Sequence, residues 1–115
     1  MTNPLRSGLP FGLLELDRSG AVIRYSPASE QNPKVMAQDI LGRHFFTEVV
    51  ANDQVKDFQT RFHLFMEDGQ AVDRFSAVFD SEEGQIKVQV IMAKIFEKTA
   101  QESKRLALVR IMPDE

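Results

Sequence analysis

Two short apolar runs, Phe11 to Asp17 and Ala21 to Ser26, flank Arg18-Ser19-Gly20. Asp17 to Gly20 has turn chemistry, with glycine free to take a left-handed backbone, and the segment predicts a β-hairpin. Pro27 offers no N–H to a ladder and is expected to stop the second strand. From 27 to 53 the pattern is mixed. Asn32 can cap a short helix with Pro33 at its first position. Met36, Ile40 and Leu41 give that helix a weak stripe, which Gly42 ends. His44 to Ala51 is apolar but short, so period alone does not decide between helix and loop.

Val55, Phe58, Phe62 and Phe65 then recur at spacings of three, four and three, with Lys56, Asp57, Gln59 and Arg61 between them. That is one face of an amphipathic helix over 54–67. Asn52 or Asp53 is its expected N-cap, and Asp68-Gly69 its stop. Past Gly69 the period falls to two. Phe75, Ala77 and Phe79 alternate with Arg74, Ser76 and Val78; Ile86, Val88, Val90 and Met92 alternate with Lys87, Gln89, Ile91 and Ala93. Glu82-Glu83-Gly84 reads as the turn between two strands. Lys98 to Lys104 reads as a polar loop, and Leu106 to Met112 as a last strand ended by Pro113. Three strands joined in sequence predict an antiparallel meander. The whole predicts an α+β fold, a five-stranded antiparallel sheet with its helices on one face. Residues 1–10, with two prolines, a glycine and a serine, read as an arm or cap, and 11–115 as the domain.

Both faces of the last two strands are apolar, although an antiparallel sheet normally wets one. Ile91, Ile95, Leu106 and Leu108 fall opposite Val90, Met92, Ala107, Val109 and Ile111. A cover is therefore expected on the second face: the N-terminal arm, a second subunit or a partner protein.

Composition narrows the chemistry. The 115 residues include no cysteine, so no disulfide, thiolate nucleophile, Cys-ligated zinc or iron–sulfur cluster can form. A net charge of −3 and scattered basic residues argue against nucleic acid as a partner. No apolar run reaches the length of a membrane span, and the N-terminus does not read as a signal peptide, which makes a cytoplasmic location the expectation. Phosphate-loop, dinucleotide, nucleophile-elbow and HExxH patterns are absent. Glu15 and Asp17 share a strand face, an arrangement that acid/base catalysis would need, but the rarity of buried carboxylates makes a solvated strand end the preferred reading. Of the two histidines, His63 sits beside the apolar stripe of the long helix, as a half-exposed partner of a carboxylate. His44, before Phe45-Phe46, is a candidate haem ligand. The phenylalanine series reads as core.

Phe11-Gly12, Leu16-Asp17, Gly20, Ile23 and Tyr25 resemble the opening of the photoactive yellow protein family of PAS photoreceptors. Gly42, Phe45-Phe46 and Val49 resemble its G-x-x-F-F-x-x-V segment. Phe58, Phe62, Phe75, Phe79-Asp80, Lys87-Val88, Val90 and Met92 continue the likeness. The register runs without a gap from Phe11 to Met92, with a small insertion in the Lys98 to Lys104 segment. The resemblance implies a PAS fold and a sensory, non-enzymatic role in signal transduction.

It also implies a departure. In the family a cysteine holds a p-coumaroyl chromophore as a thioester, and the equivalent position here is Asn52. The tyrosine that holds the buried phenolate is matched by Tyr25, but the glutamate beside it by Ser29 and the gating arginine by Val35. The resemblance therefore implies a PAS domain without a covalent chromophore. It would have a non-covalent small-molecule pocket lined by Tyr25, Ser29, Asn52, Phe79, Val90 and Met92, unless side chains fill that space. Ile91, Ile95, Leu106 and Leu108 would meet a second copy or a signalling partner. A haem or other small-molecule sensor using His44 is the alternative.

Overall fold

The computed structural model describes residues 10–28, 37–50, 55–81, 84–98 and 103–113. Strands β1 (Gly12–Leu16) and β2 (Val22–Pro27) come first. Helix α1 (Ala37–Ile40), a π-helical turn (Phe45–Val49) and helix α2 (Val55–Glu67) follow. Strands β3 (Val72–Ser81), β4 (Gly84–Lys98) and β5 (Ser103–Pro113) complete the fold. The five strands form one antiparallel sheet in the order β2-β1-β5-β4-β3. The N-terminal hairpin is thus joined to the C-terminal strand, with Leu14 opposite Val109 and Leu16 opposite Ala107.

Alternation decides which side of each strand is buried. Leu14 and Leu16, Val22 and Tyr25, Val88, Val90 and Met92, and Ala107, Val109 and Ile111 form the inner row, all buried. The α2 stripe of Val55, Phe58, Phe62 and Phe65 is buried in the same core. Among the described residues no polar or charged residue is buried whole.

Three expectations change at strand ends. β4 runs to Lys98 and β5 starts at Ser103, so the two ends of the polar segment expected as a loop are ladder, with Glu97 opposite Lys104 and Lys98 opposite Ser103; residues 99–102 lie outside the described residues. Main-chain hydrogen bonds between sequential strands need no apolar side chains, and hydropathy does not register them. Pro113 and Pro27 are the last residues of their strands rather than the residues beyond them; Pro27 lies opposite Gly12 on the edge strand β2, where a missing N–H costs little. The stretch after His44, undecided by period, is the π-helical turn. The caps expected at Asn32, Asn52 or Asp53, the turn at Glu82-Glu83 and the arm before Pro10 lie outside the described residues.

The C-terminus of α2 is tied to the sheet by cations. Arg105 Nη1 donates to the Met66 carbonyl at 2.6 Å, and Lys94 Nζ donates to the Asp68 carbonyl at 2.6 Å. Both positive groups sit where the end of a helix leaves carbonyls unpaired and partly negative. Lys94 belongs to the inner row of β4; its side chain is only 4% exposed, with Nζ 4.6 Å from the centre of the Phe65 ring. Arg61 makes two hydrogen bonds to Asp73, at 2.8 and 3.1 Å, which hold the carboxyl below its usual range.

Candidate functional site

Four of the six expected pocket residues, Tyr25, Phe79, Val90 and Met92, are buried in one core. Ser29 and Asn52 lie outside the described residues, as does Val35. The space between sheet and helices is occupied by aromatic rings. Phe58 is the hub. Phe46 and Phe75 meet it edge-on at 5.1 and 5.2 Å, Phe45 at 5.7 Å, and Phe79 stacks parallel to it at 6.2 Å. Edge-to-face contacts let positive ring edges meet negative faces, so the cluster is specific in geometry as well as apolar.

Tyr25 contributes the one described polar atom that the core's own side chains bring inward from β2. Its hydroxyl donates to the Phe11 carbonyl at 2.9 Å, which ties β2 to the start of β1. Burial pushes the phenol up to about 12, which extends the range over which it stays protonated well into alkali. A phenol in this state is a hydrogen-bond donor already committed to main chain.

His44 lies beside the hairpin, half-buried. It forms an isolated β-bridge with Ala21, and its ring meets Phe46 edge-on at 6.1 Å. Its main-chain N–H donates to Glu48 Oε1 at 3.0 Å, holding the first turn of the π-helix. A Cβ placed on Gly20 would stand 3.1 Å from Nε2, so the ring is pressed against the hairpin turn; Nδ1 is buried without a hydrogen-bond partner. Gly20 has φ +95°, which glycine adopts without strain.

The two carboxylates offered for acid/base chemistry have separate structural tasks. Glu15 lies on the outer sheet face, 3.3 Å from Arg24. Asp17 folds back on its own turn, where burial pushes its carboxyl up. Bonds from the Ser19 hydroxyl and the Ala21, Ser19 and Gly20 main chain outweigh burial and leave it below the usual range. His63 is exposed on α2 with its ring edge-on to Phe62. Among the described residues no group of three or more His, Asp or Glu could hold a metal ion.

The register places Ile95 opposite Leu106 and Leu108 opposite Ala93 on the outer face, with Ile91 opposite Arg110. Leu106 is buried; Ile91, Ile95 and Leu108 are half-buried. No described helix is long and apolar enough to cross a membrane.

No protein-family model matches the chain. Photoactive yellow protein of Halochromatium salexigens is 34% identical over 86 residues, which cover 75% of this chain and 69% of that protein. The chain belongs to the photoactive yellow protein family. Among solved structures it is similar to the photoactive yellow protein domain of the sensor histidine kinase Ppr from Rhodospirillum centenum. That domain is 28% identical, with a TM-score of 0.64 over 89% of this chain and 92% of the other. The PAS domain of the Cronobacter turicensis quorum-sensing receptor RpfR, solved with C12:0, shares the fold at 17% identity and a TM-score of 0.57, over 90% and 95%. The fold is a PAS fold, of the kind found in signal-sensing modules. This chain has no cysteine at any position.

Sequence reasoning missed Lys94, Arg105 and the Arg61–Asp73 pair. The signal for Lys94 was present: it continues the 88, 90, 92 row of buried positions, and a long cation in such a row needs a partner.

Proposed function

We propose that this domain is a sensor of the photoactive yellow protein family that works without a covalently attached chromophore and passes its state on by protein contact. The observation that carries this reading is the absence of cysteine from the whole sequence, since the family's attachment is a thioester. The state of Tyr25 supports it. A phenol that donates to the Phe11 carbonyl has a structural use that requires no chromophore. The stimulus in this reading is a small, uncharged, non-covalent ligand, because an apolar aromatic interior offers little to balance a charge. Ser29 and Asn52 remain its candidate polar contacts, beside Phe79, Val90 and Met92. The outer-face residues Ile91, Ile95, Leu106 and Leu108 are the proposed contact for a partner.

The haem reading through His44 draws less support from the packing. Nδ1 is buried, and Nε2 lies beside the hairpin turn, where a Cβ on Gly20 would stand 3.1 Å from it.

The test is to treat the purified protein with an activated p-coumaric ester, then record intact mass and visible absorption, with native mass spectrometry on the untreated sample. The expected result is no stable covalent adduct and no visible band, with any ligand released on denaturation. A stable stoichiometric p-coumaroyl adduct with a visible band would overturn the reading. A Soret band that haem addition produces and His44→Ala removes would favour the haem alternative.

A further inference from the structure

The two edges of the sheet are finished differently. β2 is six residues long and ends on Pro27, and its ladder with β1 shifts register between Glu15 and Leu16. Such features keep other chains from adding to an edge. β3 is ten residues long, carries neither proline nor lysine, and pairs with β4 throughout without a shift. Among the described residues no main chain pairs with its other side.

One hydrogen bond fixes which main-chain groups face that open side. Lys94 N–H donates to the Ala71 carbonyl at 2.9 Å, one step before the pair of Val72 with Ala93. In an antiparallel ladder alternate residues aim their N–H and C=O at the partner strand. Asp73, Phe75 and Ala77 therefore bond to β4, while Val72, Arg74, Ser76 and Val78 aim theirs outward. The Arg74 N–H already serves the Asp73 carboxyl, which leaves those of Ser76 and Val78 at the centre of the edge. Beside them a groove of about 590 Å³ opens between Asp57, Phe58 and Arg61 of α2 and residues 75–78 of β3. Its floor is apolar, with Phe58 and Phe75 edge-on at 5.2 Å and only a methyl group at Ala77.

We propose that β3 receives an extended peptide segment of another protein, added antiparallel as a sixth strand at Ser76 and Val78, with an apolar side chain in the groove. An open edge calls for an occupant with main-chain donors and acceptors at strand spacing, and a groove beside it selects a side chain of that strand. A compact ligand without a polypeptide main chain would use the groove and leave the edge unanswered. Antiparallel addition continues the pairing of the whole sheet and is the stronger form per residue. Residues opposite one another across a ladder share a face. The peptide residue opposite Ala77 then points inward, onto Phe58 and Phe75, where the alanine leaves room. The residue three places later stands opposite Arg74 on the outer face. Across the β4 ladder Arg74 meets Ile91 rather than a carboxylate, so an acid on the peptide complements it. The groove has the reverse preference. Arg61 is already matched by Asp73, which leaves the Asp57 carboxylate to repel an acid on the inner face. The segment recognised is thus apolar-x-x-acidic. The site rests neither on the small-molecule reading nor on the outer-face contact.

The probe is a fluorescently labelled peptide containing Thr-Leu-Thr-Val-Glu-Thr, whose leucine falls opposite Ala77 and whose glutamate falls opposite Arg74. Anisotropy with the purified protein should show saturable binding, and hydrogen exchange should slow at the Ser76 and Val78 amides. Exchanging the leucine and the glutamate keeps the composition and should weaken binding by roughly tenfold or more. N-methylation of the threonine between leucine and valine, whose N–H meets the Ser76 carbonyl, should abolish binding. N-methylation of the leucine, whose N–H points away from β3, should leave it. Arg74→Glu should weaken the probe and recover affinity for the same peptide with lysine in place of glutamate. Absence of saturable binding, equal binding of the exchanged peptide, or indifference to the threonine N-methyl group would each overturn the proposal. So would protection of the Ser76 and Val78 amides that appears without peptide and rises with protein concentration, since a second copy would then hold the edge.

Discussion

Helix α2 and the π-helical turn share one aromatic cluster, yet they are held by different means. α2 is bound to the sheet by charged contacts: Arg61 to Asp73, Lys94 to the Asp68 carbonyl, Arg105 to the Met66 carbonyl. The π-turn is held by the hairpin's main chain and by rings. Phe45 N–H donates to the Gly20 carbonyl at 2.8 Å, Gly42 N–H to that of Val22 at 2.8 Å, and Val22 N–H to that of Arg43 at 2.9 Å. His44 adds a buried nitrogen without a partner. Directional charged ties fix α2 as part of the frame. The π-turn leads toward Asn52 and rests on one glycine-dependent turn and on ring packing, which makes it the more easily displaced of the two.

That contrast can be broken or sharpened by substitution. Phe58→Ala should have the largest effect, because its ring touches both regions. Removing a buried phenylalanine costs about 3–5 kcal/mol in denaturant unfolding, and both regions should lose hydrogen-exchange protection together. Gly20→Ala comes next. A side chain at φ +95° facing His44 should cost about 1–3 kcal/mol, with faster exchange over 44–50 and none of that change in α2. Equal loosening of α2 would contradict the contrast. Lys94→Met keeps the apolar stem and removes the cation; about 1 kcal/mol should be lost, with exchange raised at the C-terminus of α2 and not in the π-turn.

The smallest effect belongs to Arg61→Ala, since the arginine is half-exposed and water screens the pair. Its signature is in acid. The Asp73 carboxyl is lowered in the folded protein, chiefly by the Arg61 hydrogen bond. The pair's contribution is therefore complete above the unfolded pKa of about 4 and lost as pH falls through the lower folded value. Acid unfolding curves of the native protein should fall more steeply in that window than those of Arg61→Ala.

How much of this was legible depended on whether neighbours in sequence are neighbours in space. α2 was readable from the spacing of Val55, Phe58, Phe62 and Phe65, and the inner row of β4 from its alternation. The docking of β1 on β5 was not, because periodicity assigns a strand its faces but not its partner. Nor were the polar ends of β4 and β5, held by main-chain bonds, or the π-turn, whose five residues are too short to establish a period. In the candidate site, the family likeness brought forward Tyr25, Phe79, Val90 and Met92, and these share one core. What it did not foretell is the acceptor of Tyr25. The Phe11 carbonyl becomes available only when β1 and β2 pair.

Tyr25, the position that the family resemblance assigns to a chromophore contact, is here a buried phenol committed to main chain. It is the single tyrosine in a chain without tryptophan, so an alkaline titration followed by ultraviolet absorption reports on it alone. Its folded pKa is raised. Its contribution to stability is therefore present below about pH 10, the unfolded value, and lost as pH climbs toward the folded one. The predicted result is phenolate appearing with a midpoint of about 12, or abruptly with alkaline unfolding before that. A smooth titration of the folded protein near 10, the value of a free phenol in water, would contradict it.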